Sequence, residues 1–304
     1  MVQFLPSVLC VPIHLCLCEL FTNFFSLGFE GIALAHSLTF SINALIFCLF
    51  LLKGCKCVKN RETLQPFSWE DFKGWGEYLK AAFPDMILQL IQWWSLELST
   101  IICAFVSIDI LAAQTVIMNF FLVMYMVSLG SSNALATLVG NSIGMNEPRL
   151  AKLFARDGTL LALSISLVLV SLSAIFRDQL LRLFTQDPSV LDILDSVFYL
   201  GLIGIWIDVF QNSENGILRG LGSLVWPSLT SLVVFYVFYQ PLSISLLLNT
   251  ELGLLSIYIV LPITPILNGV AQFVMIRRID FESLAAKKHQ EMRRKREYSV
   301  ANRT

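Results

Sequence analysis

The sequence predicts an all-α, polytopic membrane protein with eight transmembrane helices. Three observations carry that reading. Of 304 residues, 56% are hydrophobic and only 14% charged, with a mean hydropathy of +0.71. A water-soluble domain of this size needs more polar side chains to cover its surface. Apolar runs of the length a bilayer demands, about 20 residues, recur eight times. With those eight spans in place, nineteen of the 21 lysines and arginines fall on one side of the membrane. By the positive-inside rule that side is cytoplasmic, and both termini are expected there. One helix more or fewer would scramble the alternation.

The first span, about 2–26, begins without a basic n-region or a small-residue cleavage site. It is too long for a signal-peptide core and reads as a spanning helix. The second covers 31–52. A polar segment, 53–79, follows with Lys53, Lys56, Lys59, Arg61 and Lys73, and is expected to be a cytoplasmic linker. Six more spans are expected at 80–106, 109–136, 158–177, 191–217, 224–248 and 253–276. The charged tail 277–304 reads as a solvated or membrane-surface helix, and its Arg293–Arg296 cluster follows the positive-inside rule.

Local breakers agree. Pro84, Pro227, Pro241, Pro262 and Pro265 lie in or at the ends of spans, where membrane helices tolerate kinks. The run from Gly140 to Pro148 (GNSIGMNEP) reads as a helix end, a loop and a new helix. Residues 148–156 alternate basic and apolar side chains, as in a short interfacial helix leading into the next span. Seven scattered cysteines suit free thiols packed as small hydrophobes. Cys55 and Cys57, among lysines just past a span, are also placed for S-palmitoylation. The histidines and cysteines have no metal-ligand spacing, and no cofactor is expected.

Function is legible in what the spans should not contain. A charge near the bilayer centre costs at least about 3 kcal/mol, yet the third span carries Glu97 and the sixth Asp208. Such carboxylates face water, a partner or a solute. On the third span Asp85, Gln89, Gln92, Ser95 and Ser99 share one sector of about 120°, a bundle interior or a cavity wall, with interhelical glue as the plainer alternative. Glu97 lies off that stripe near Trp93. On the sixth, Asp208, Gln211, Asn212 and Asn215 follow the i, i+3, i+4, i+7 pattern and form one polar face. Glu214 points elsewhere, nearer the cytoplasmic end, where it is expected to reach water. The fourth span adds Asn119, with Tyr125 among methionines and aromatics that suit an adaptable wall and attract organic cations. There is no P-loop, no G-x-S-x-G and no soluble domain. The chain is therefore not expected to be an enzyme or to bind nucleic acid. Any solute would be moved by an ion gradient.

Several runs carry a resemblance. Gly74-Trp-Gly-Glu-Tyr-Leu-Lys-Ala-Ala-Phe-Pro84 with Gln92-Trp-Trp-Ser-Leu-Glu97 resembles the seventh-helix region of the multidrug and toxic-compound extrusion (MATE) family, eukaryotic type. Leu111–Gln114 with Val123–Gly130, then Val139–Gly144, then Gly216–Gly222 agree in order, and Leu27–Ala35 is similar to the family's sixth-helix start. The resemblance implies a secondary antiporter that exports organic cations or other amphipathic compounds in exchange for protons rather than Na+. It also implies a plasma or vacuole-type membrane. The implied fold is two six-helix lobes, of which this chain matches the last eight helices. Residues 1–52 would end the first lobe, 80–276 would form the second, and the chain would be incomplete. Asp208 and Glu97 match the family's carboxylate positions and are expected to couple protons. Gln89, Gln92, Trp93, Asn119, Tyr125, Gln211, Asn212 and Asn215 are expected to line the substrate cleft. Two departures stand out. Gln92 occupies a position that is usually Glu, and Asn119 one where animal members carry a carboxylate. A flippase of lipid-linked sugars would want a basic cleft, which these spans lack, and a non-transporting membrane protein is the third alternative.

Overall fold

A computed structural model of the protein describes residues 4–52, 72 and 74–301. The greater part of the linker, with Cys55, Cys57 and its lysines, lies outside them, as do the side chains of Lys295 and Arg296. The described chain is helical throughout, and eight of its helices are long and apolar enough to cross a membrane. The chain divides into two compact units, Met1–Gly74 and Trp75–Thr304.

The first unit is a helical hairpin of α1 (Phe4–Glu19) and α2 (Gly28–Leu52), with a π turn, Leu20–Phe24, closing α1. Gly31 lets the two approach, since a Cβ there would stand 2.8 Å from the Phe21 carbonyl oxygen. His14 meets Thr39 at 2.9 Å across the pair.

The second unit holds α3 (Trp75–Val106), α4 (Ile108–Gly144), α5 (Pro148–Ile175), α6 (Arg177–Phe184) and α7 (Pro188–Leu221). These are followed by α8 (Val225–Leu232), α9 (Gln240–Asn249), α10 (Leu255–Val260), α11 (Ile263–Arg278) and α12 (Phe281–Ala301). One span is built from α8 and α9 joined by a π segment, Val233–Tyr239. Pro241 explains that widening, because its ring has no N–H to donate and crowds the carbonyl one turn before it. Pro262 divides α10 from α11 for the same reason.

Helix α7 is the axis of the unit. Gly216 and Gly220 set it against α4. A Cβ on Gly216 would collide with the backbone of Ser132, and one on Gly220 would lie 2.8 Å from the Ala136 carbonyl. The main apolar core lies nearer the other end, where Phe120, Phe121, Phe198, Tyr239 and Tyr258 cluster. From Leu160 onward α5, and α8, expose mostly Leu, Ile, Val and Trp, a surface that suits lipid rather than water.

Two segments depart from the sequence reading. Helix α4 runs past the expected span end at 136 to Gly144, where the expected helix end, short loop and new helix at Pro148 follow, and residues 148–156 are the first turns of an unbroken α5 rather than a separate interfacial helix. Packing decides both. Val139 and Ile143 of α4 bury against Ala151 and Ala155 of α5, so extending the helices adds contact. Asn146, with φ +60, makes the tight reversal. The tail is not wholly solvated either, since Phe281 and Ala285 of α12 join that same cluster.

Candidate functional site

The polar stripe of α3 splits among three tasks. At one end, Asp85 Oδ1 accepts from Arg219 Nε and Nη2, each at 2.9 Å, and Arg219 also donates to Asn133. That tie joins α3, α4 and α7. At the other end, Gln240 Nε2 donates to the Ser95 carbonyl and, at 2.9 Å, to the Ser95 hydroxyl, and Ser99 meets the Tyr239 hydroxyl at 3.2 Å. Tyr258 donates to Gln114 nearby. These are interhelical bonds, so for Ser95 and Ser99 the glue reading is what the geometry shows. Of the stripe, Gln92 alone lines the cavity described next, and Gln89 is half-buried outside it.

That cavity, about 120 Å³, opens between α3, α4, α7 and α11. Its walls are Trp93, Leu96, Met118, Phe121, Tyr125, Phe235 and Leu261, with Gln92, Asp208, Gln211 and Thr264 as the polar groups. Trp93 and Tyr125 stand edge to face with centroids 5.4 Å apart. Gly204 opens the room beside Asp208, because any side chain there would run toward Pro262. Asp208 Oδ2 accepts from Asn212 Nδ2 at 2.7 Å and from Ser128 Oγ at 3.5 Å. Among the described residues no Lys, Arg or His forms an ion pair with it. A half-buried carboxylate without a basic partner, set among apolar and aromatic walls, is costly to keep ionised.

The structure thus brings together five of the residues picked from sequence, Gln92, Trp93, Tyr125, Asp208 and Gln211, with Asn212 as the group that holds Asp208. Asn215 is buried farther along α7. Glu97 and Asn119 are exposed on the surface of the second unit and take no part in this cavity. Asn119 donates back to the Thr115 carbonyl. Thr264, which sequence reading did not select, also lines it. Its signal was a Thr two residues past Pro262, in a span otherwise read as plain.

Glu214 differs from expectation. It is 3% exposed and lines a second cavity, about 550 Å³, with Lys152, Arg156, Phe210, Phe273 and Arg277. The helix does not end near it, and α5 and α11 cover it. No cluster of three or more metal-ligating side chains occurs among the described residues.

A family model described as MatE matches residues 84–265, which include every residue of the Asp208 cavity. Multidrug and toxin extrusion protein 2 of Homo sapiens is 27% identical over 267 residues, which cover 87% of this chain and 44% of that protein. Multidrug and toxin extrusion protein 1 of Danio rerio is 23% identical over 263 residues, 86% of this chain and 44% of that one. The fold superposes on the solved eukaryotic MATE transporter AtDTX14 with a TM-score of 0.86 at 20% identity, covering 94% of this chain and 64% of that chain. The chain therefore spans less than half the length of the curated relatives it matches. With more than half its residues matched by the family model, this integral membrane chain belongs to the MatE family, whose members are transporters and not enzymes.

Proposed function

We propose that this chain works in proton-driven antiport of organic cations or similar amphipathic compounds, with Asp208 as the carboxylate that exchanges one positive partner for another. The observation that carries this reading is the pairing of Asp208, which forms no ion pair among the described residues, with the aromatic walls of its cavity. A cationic solute gains cation–π attraction from Trp93 and Tyr125 and charge neutralisation from Asp208. A proton on Asp208 removes the second of these, so the two ligands compete for one site. Such competition is the minimal requirement for antiport. The lining holds no Lys or Arg, which disfavours a phosphate-bearing cargo.

Glu97 and Asn119, exposed on α3 and α4, belong to this proposal at one remove, as a second carboxylate and a polar group outside the cavity. The lysine and arginine bias supports a cytoplasmic side at the Arg219 and Arg277 ends of the helices and at both termini, and a plasma or vacuole-type membrane is part of the same proposal. The test is uptake of a fluorescent organic cation into vesicles carrying the chain, with and without an imposed pH gradient. Asp208→Asn is expected to abolish the gradient-dependent component. Undiminished gradient-driven uptake in that variant, or equal drive by Na+ alone in the parent, defeats the proton reading.

A further inference from the structure

Buried amides are normally hydrogen-bonded, and each exception calls for an explanation. Among the described residues, seven of the thirteen unpartnered buried side-chain atoms lie along one seam, while the others, Gln240 Oε1 and Ser243 Oγ among them, are scattered. On α11, Thr264, Asn268 and Gln272 follow at i, i+4 and i+8, so they line one face over about 12 Å. All three have no solvent exposure. The Thr264 hydroxyl and both amide atoms of Asn268 and of Gln272 have no hydrogen-bond partner within the protein. On α7, Gln211 Oε1 and Asn215 Oδ1, one turn apart on a face, are likewise unpartnered and buried.

The two helices place these groups alongside each other. Gly204 packs on Pro262, and Gly269 packs on Phe210 and the Gln211 backbone. Both contacts pair positions 58 or 59 apart in the chain, so α7 and α11 run in parallel with a fixed register. Thr264 is then level with the stretch just before Asp208, Asn268 with Gln211, and Gln272 with Glu214 and Asn215. Thr264 and Gln211 open on the Asp208 cavity. At the far end, Glu214 and Arg277 open on the second cavity. The unpartnered groups bridge the two spaces.

We propose that this seam holds a file of water molecules linking the Asp208 cavity to the cavity at Glu214, and that protons reach and leave Asp208 along it. The route half of this proposal rests on the antiport reading above; the water half does not. Asn and Gln suit such a file, because each offers both a donor and an acceptor and carries no charge to trap the proton. A direct protein bond would have closed the seam, as Gln240 does for Ser95 and Ser99. The groups that face the two ends are few. Tyr125, Ser128 and Asn212 surround Asp208. Lys152 and Arg156 of α5 and Arg277 of α11 surround Glu214. Two purely structural alternatives exist, a dry seam and a seam occupied by a bare cation.

X-ray hydroxyl-radical footprinting separates them, since radicals born from bound water modify the side chains that touch it. In the chain reconstituted in nanodiscs, Phe210 and Pro265 are expected to be modified faster than Phe198, a ring of the dry core. Asn268→Leu with Gln272→Met should remove that excess, whereas Asn268→Ser with Gln272→Ser, which leaves room and polarity, should keep it. Modification of Phe210 and Pro265 at the Phe198 rate, or an excess the apolar pair does not change, overturns the water file. An excess that Na+ abolishes at constant pH overturns it in favour of a cation site. For the route, the apolar pair should slow gradient-driven uptake about tenfold, the cost of one lost hydrogen-bonded step. Wild-type uptake with the excess removed overturns the route and leaves the water. Should the double variant not fold, Gln272→Met alone serves. Failure of the antiport reading shows separately, as indifference of uptake to Asp208→Asn.

Discussion

Two buried polar regions of the second unit contrast sharply. Between α3, the π segment and α9, Gln240 and Tyr239 reach across to Ser95 and Ser99, and Tyr258 reaches Gln114. Between α7 and α11, Asn268 and Gln272 are as deeply buried and bond to nothing in the protein. Composition does not distinguish the two, since both are amides and hydroxyls in apolar helices. Direct bonds in the first fasten helices together. The second keeps its donors and acceptors free for small mobile partners, beside Asp208, a carboxylate with no ion pair among the described residues. In a membrane, where water is scarce, a polar group left open marks a route more clearly than one that is paired.

The contrast can be broken by substitution. The largest effect is expected in the closed network. Gln240→Leu strips partners from Ser95 and Ser99 together and should lower stability by about 2–3 kcal/mol, read from the denaturant midpoint in mild detergent. A cost near zero would mean that these bonds fasten nothing. Next comes the tie on the outer flank of α7. Asp85→Ala leaves Arg219 largely buried with only Asn133, at a cost of about 2 kcal/mol by the same measurement. Asp85→Asn should recover part of that. Gln272→Met in the open seam should move stability by less than about 0.5 kcal/mol, because a hydrated amide is lost without stranding a partner. A gain of about 1 kcal/mol or more would show instead that a dry, unsatisfied amide had been removed.

The smallest effect lies at the start of α7. Asp187 caps that helix, accepting from the Ser189 amide at 3.0 Å and hydroxyl at 2.8 Å. Those bonds hold its carboxyl below the ordinary carboxylate range. A depressed carboxyl contributes stability above its unfolded value and loses it as pH falls through the folded one. The protection factor of the Ser189 amide, its exchange corrected for the intrinsic pH dependence, should therefore fall on acidification below the usual Asp range and stay constant in Asp187→Asn.

Much of the fold was written in the chain. Eight apolar runs and the lysine and arginine bias gave the helix count, because each transmembrane segment must satisfy its own backbone and the bilayer fixes its length. Asp208 was legible for the same reason, as was the polar face it shares with Gln211 and Asn212. Helix periodicity is a strictly local property, however, and it cannot say what stands opposite. Ser95 and Gln92 share one stripe, yet one meets Gln240 and the other a cavity. Glu214 lay near a helix end in sequence and is buried because α5 and α11 cross over it. Asn268 and Gln272 raised no signal at all. Composition and spacing determined that this protein lies in a membrane, how many times it crosses, and that a carboxylate sits within its sixth span. Only the packing of α7 against α3, α4 and α11 decided which polar groups are paired and which are left open. That depends on distances between residues more than 50 positions apart, set by glycine contacts and proline breaks that no single helix encodes.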